Sequence, residues 1–71
     1  MNKVKVVIEV LELMDYAPIL DSDRLSVSFS SFGSDNFTDK EKNVVRVLLG
    51  DNLREFYYGC DTQYIYFKKY C

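Results

Sequence analysis

Apolar and hydroxyl side chains alternate along Arg24-Leu25-Ser26-Val27-Ser28-Phe29-Ser30, and this alternation restricts the chain's fold more than any other feature of it. Successive residues of a strand point to opposite faces, so Leu25, Val27 and Phe29 share one face and the three serines the other. One face belongs to a core and the other to water. Gly33-Ser34-Asp35-Asn36 follows with residues that favour turns and is expected to end the strand.

The rest of the chain offers several more strand candidates. Val4, Val6, Val7, Ile8 and Val10 are β-branched and favour a first strand, although Val4, Val7, Ile8, Leu11 and Met14 also fit a helical stripe. The β-branching points to strand. Around the lone Pro18, the stretch Asp15-Tyr16-Ala17-Pro18-Ile19-Leu20-Asp21-Ser22-Asp23 reads as a loop. Between 38 and 58 two readings compete. Thr38-Asp39-Lys40-Glu41 has the spacing of a capping box and could open a helix over 39–49 that ends at Gly50. The alternative is a meander of three strands, 44–49, 53–58 and 63–70.

Register favours the meander. A two-residue turn at Asp51-Asn52 would set Leu49 opposite Arg54, Val47 opposite Phe56 and Val45 opposite Tyr58. A second turn at Gly59-Cys60-Asp61-Thr62 would set Phe56 opposite Ile65. Val45, Val47, Leu49, Phe56, Tyr58, Ile65 and Phe67 would then form one core face. The expected fold is mostly β, a five-stranded antiparallel sheet or small open barrel. The alternative is an α+β ββαββ layer with a helix near 39–49.

With 71 residues the chain is expected to be a single domain, 1–71, without room for a deep cleft. Hydrophobic residues make up 48% of it, enough for a core. At this length folding hides only about 60% of the unfolded surface, so modest stability and a partner are both expected. Residues 1–36 carry three bases against six acids, whereas residues 37–71 carry six against five. An acidic first half argues against a phosphate-binding protein. No apolar run spans a bilayer, and acids interrupt the apolar N-terminal stretch, unlike a signal peptide. A cytoplasmic protein with free thiols is the expectation.

The ingredients of common chemistries are missing. Without histidine the chain lacks the usual general base and metal ligand, and Cys60 cannot form a Cys/His pair. Two cysteines do not make a structural zinc site, and strand spacing across 63–70 would hold Cys60 and Cys71 about 25–30 Å apart. Asp21-Ser22-Asp23 lacks the glycine and distal glutamate of a calcium loop and reads as a solvated turn. Glu9 and Glu12 would point to opposite faces of a strand, and Gly33, Gly50 and Gly59 stand singly in turns. No enzyme, cofactor or metal site is expected.

One constellation remains. The register that assembles the core face puts Tyr57, Tyr64, Tyr66 and Tyr70 on the opposite side with Arg46, Glu55 and Lys68. Tyr57 and Tyr64 become cross-strand neighbours, as do Glu55 and Tyr66. An aromatic patch rimmed by mixed charge suits a protein interface, while tyrosines that only stabilise a sheet are the structural alternative. The expectation is a small interaction module, an inhibitor or adaptor acting by surface occlusion, with a homo-oligomer as one form. A single-stranded nucleic-acid binder, stacking bases on Tyr57, Tyr64 and Tyr66 with Arg46, Lys68 and Lys69 on the phosphates, and a structural subunit of a larger assembly are the other two readings.

Overall fold

The computed structural model describes residues 2–30 and 37–70. The expected turn at 33–36 and any role of Cys71 lie outside the described residues.

The chain opens with a helix, not a strand. Helix α1, Lys3–Leu13, is capped by Asn2, whose Oδ1 accepts hydrogen bonds from the Val4 and Lys5 N–H groups at 2.9 and 3.3 Å. Val4, Val7 and Leu11 are buried, and Ile8 and Met14 pack against them. Energy explains why the β-branching loses. Valine in place of alanine costs a helix less than about 1 kcal/mol per residue, whereas burying an aliphatic side chain contributes about 1.5–3 kcal/mol.

Beyond the helix, Asp15 turns the chain with φ 68°, and Pro18 leads into β1, Ile19–Asp21. These three residues, expected in a loop, pair antiparallel with β2, Ser26–Ser30, setting Leu20 against Val27. Asp21 Oδ1 accepts from the Asp23 and Arg24 N–H groups, both at 3.1 Å, and so shapes the connecting turn. The alternation in β2 holds for Val27 and Phe29, which are buried, but the serine face is not uniformly wet: Ser26 is buried as well, Ser28 is half-buried and Ser30 is exposed. Leu25, with φ 55°, belongs to the turn and reaches the core only as a half-buried neighbour.

The meander over 44–49 is replaced by helix α2, Asp39–Leu49. Its capping box is complete: Thr38 Oγ1 accepts from the Glu41 N–H at 3.2 Å and Glu41 Oε1 accepts from the Thr38 N–H at 3.0 Å. Rotation per residue explains the altered faces. At about 100° per residue, Val45 and Leu49 fall together and are buried, while Val47 is turned away and is 82% exposed. A single 3₁₀ turn, Gly50–Asn52, then replaces the Asp51-Asn52 hairpin, and the pairings of Leu49, Val47 and Val45 with 54–58 do not form.

The second hairpin follows the expected register. Strand β3, Leu53–Gly59, pairs with β4, Thr62–Phe67, setting Phe56 against Ile65, Tyr57 against Tyr64 and Glu55 against Tyr66. The ladder shifts by one residue between Leu53 and Glu55. The two turn residues Cys60 and Asp61 have φ 52° and 58°, the conformation a tight hairpin demands. Beyond Phe67, Asn52 pins the chain: its side chain exchanges hydrogen bonds with the Lys69 backbone at 2.9 and 3.0 Å.

The described residues form an α+β fold with a four-stranded antiparallel sheet in the order β1-β2-β4-β3. Five strands and a mostly β class are therefore corrected to four strands and two helices. Both helices cover one face, where Val4, Val7, Leu11, Val45 and Leu49 meet Val27, Phe29, Ile65 and Phe67. Among the described residues, no helix is long and apolar enough to cross a membrane.

Candidate functional site

Because opposite partners in an antiparallel ladder share a face, the register defines what the helix-free side of the sheet presents. One row across the four strands reads Ile19, Ser28, Tyr64, Tyr57. The next reads Asp21, Ser26, Tyr66, Glu55, and a third, shorter row reads Ser30, Thr62, Gly59. Hydroxyl, aromatic and acidic groups make up most of this surface. No lysine or arginine occupies any of these strand positions.

Three of the expected site residues form its centre. The Tyr57 and Tyr64 rings lie 5.8 Å apart, and Tyr64 stacks on Tyr66 at 6.0 Å with planes 19° apart. Offset ring pairs at such distances add rigidity beyond their burial. Tyr57 also lies along its own strand over Gly59, where an added Cβ would come within 3.0 Å of the ring. The glycine leaves the place that the ring occupies. Tyr57 nonetheless remains 56% exposed, and Ile19 at the other end of the row is 67% exposed. Ile19 was missed in the sequence because its strand was read as a loop.

Glu55 joins this face opposite Tyr66 and is exposed. Asp21 stands at the far end of that row, its carboxylate 3.8 Å from the Arg24 guanidinium in the adjoining turn. Arg46 and Tyr70 do not join. Arg46 sits on α2 with its guanidinium 5.1 Å above the Phe56 ring, and the Tyr70 ring lies 6.3 Å from buried Phe67. Both therefore belong to the helix side. Lys68 follows the end of β4 and is exposed, its N–H bonded to the Asn52 carbonyl at 2.8 Å.

The helix side has its own exposed features near β3. Lys42 Nζ joins Arg46 over Phe56, at 5.8 Å. Tyr58, expected in the core, is 50% exposed and donates its hydroxyl to Asp61 Oδ1 at 3.0 Å, while its partner Gln63 is buried. That hydrogen bond to a carboxylate raises the Tyr58 phenol above its ordinary pKa of about 10. Elsewhere on α2, Asn43, Val44, Val47 and Leu48 line an open apolar depression of about 300 Å³. Cys60 is an exposed free thiol. Among the described residues there is no group of three or more histidine, cysteine or acidic side chains arranged to hold a metal ion.

In comparisons with known proteins, no family model, no curated protein and no solved structure matches this chain.

Proposed function

We propose that the protein is a small interaction module that binds another protein through the helix-free face of its sheet and acts by covering that partner's surface. The observation that carries this reading is the ring cluster of Tyr57, Tyr64 and Tyr66 on a face with no helix over it among the described residues. Rigid aromatic groups supply contact area at low cost in ordering entropy, and the hydroxyl groups of Ser28, Ser30 and Thr62 on the same face supply orientation.

Charge narrows the partner. Glu55 and Asp21 flank the rings, Asp21 beside Arg24 of the adjoining turn, and no base occupies the paired strand positions between them, so the complementary surface is apolar at its centre and carries arginine or lysine at its rim, toward Glu55 above all. Guanidinium groups also stack favourably on tyrosine. The same distribution counts against a single nucleic-acid strand, which needs cations along its phosphates beside the stacking rings. Arg46, assigned that part from sequence, lies on the other side of the sheet.

The test is a binding titration against the partner identified by in-cell cross-linking. A Tyr57→Ala/Tyr64→Ala variant that remains folded should lose about 2 kcal/mol or more of affinity, mainly through faster dissociation. Full affinity in that variant defeats the proposal. Tight binding of an oligothymidine that weakens steeply with salt would put the nucleic-acid reading in its place.

A further inference from the structure

The two edges of the sheet are unlike. Strand β1 has three residues and is entered from Pro18, whereas β3 has seven and, among the described residues, a neighbour on one side only. Short strands and prolines discourage edge pairing, while a long bare edge invites another strand. The bulge near Arg54 disturbs only the beginning of β3 and leaves Glu55–Gly59 in regular register.

Which backbone groups face outward follows from the turn. In a hairpin closed by two residues, the flanking pair is hydrogen-bonded, here Gly59 and Thr62, and the pattern then alternates. Glu55, Tyr57 and Gly59 spend their N–H and C=O groups on β4. Those of Phe56 and Tyr58 point away from the sheet. We infer that this edge is a self-association surface: β3 pairs antiparallel with β3 of a second copy, joining two four-stranded sheets into one of eight. The inference stands on the edge strand and does not rest on the tyrosine-face reading.

Geometry leaves one register. Both copies must keep their helices on the same side and turn Phe56 and Tyr58 toward each other, so a residue, not a peptide bond, lies on the twofold axis. With Phe56 on the axis, Tyr58 would pair with the bulged Arg54, and the two sets of Lys42 and Arg46 would meet directly. With Tyr58 on the axis, Phe56 would face Cys60 in the turn. With Tyr57 on the axis, Phe56 faces Tyr58 of the second copy, twice, through four backbone hydrogen bonds within the regular segment.

Charge agrees with that register. On the helix side, Lys42 and Arg46 over Phe56 come beside the Tyr58–Asp61 pair of the second copy, cation toward carboxylate on both sides of the axis. On the other side, Glu55 faces Gly59, which has no side chain to oppose it. The two Glu55 residues stay four positions apart, about 13 Å, beyond close repulsion.

Sedimentation velocity on the full chain, from low micromolar to low millimolar, should show the 8.3 kDa monomer giving way to a species of twice that mass. A monomer throughout overturns the inference. Tyr58→Pro removes an outward N–H without touching the β3–β4 ladder and should hold the folded chain monomeric; a folded dimer of this variant also overturns it. Should that variant fail to fold, cysteine scanning decides. With Cys60→Ser and Cys71→Ser as background, Tyr57→Cys should cross-link to a dimer under mild oxidation within minutes, and Glu55→Cys at least tenfold more slowly. Equal or reversed rates exclude the proposed register.

Discussion

Cys60 and Asp61 carry a conformation that neither residue favours. Both lie at positive φ, where a side chain crowds its own backbone and where asparagine and glycine are most at ease. Asp61 recovers part of that cost by accepting the Tyr58 hydroxyl at 3.0 Å. Cys60, exposed and free, has no such compensation beyond its carbonyl, which accepts from Thr62 Oγ1 at 3.3 Å. Cys60→Asn should therefore stabilise the fold by roughly 0.5–1 kcal/mol. Urea denaturation of both proteins checks this, and an unchanged or lower midpoint would show that the turn is already relaxed.

Glu41 joins two levels of organisation around helix α2. Its carboxylate completes the capping box with Thr38 and also accepts the Tyr16 hydroxyl at 2.9 Å, so the cap is tied to the chain leaving α1. Thr38→Ala removes one half of the box and should cost about 1 kcal/mol. Glu41→Ala removes the other half together with the Tyr16 link, and should cost more than Thr38→Ala. Thermal melts of the two variants test the ranking. Equal losses would mean that the Tyr16 contact contributes nothing to stability.

The core is a single layer between two helices and one sheet face, so its residues are unequal in what they hold together. Ile65 lies in the middle, wholly buried between Val27 and Phe56 on the adjoining strands. Phe56, on the edge strand, is only half-buried, under Lys42 and Arg46. Ile65→Ala should cost about 3 kcal/mol, and Phe56→Ala distinctly less than a fully buried aromatic would. For a domain of this length, whose whole stability is about 4–10 kcal/mol, the first variant should lose roughly a third of it or more. Chemical denaturation gives both values, and a larger loss at Phe56 would place the centre of the core at the sheet edge.

Local chemistry written in the chain was sufficient for the β3–β4 hairpin. The alternating side chains on either side of Gly59-Cys60-Asp61-Thr62 specify one register, and Tyr57, Tyr64, Tyr66 and Glu55 come together as that register requires. The capping box at Thr38 and the helical stripe of Val4, Val7 and Leu11 were legible too, but the stripe competed with β-branched preference and the capping box with the register of a hairpin turning at Asp51-Asn52, and both competitors favoured the wrong side. Only the assembled layers decided those segments, because burying one stripe against the sheet outweighs fractions of a kilocalorie per residue of intrinsic preference. The same assembly moved Arg46 away from the tyrosines. A residue on a helix takes its face from a rotation of about 100° per position, and which sheet face the helix then covers is a property of the packing alone.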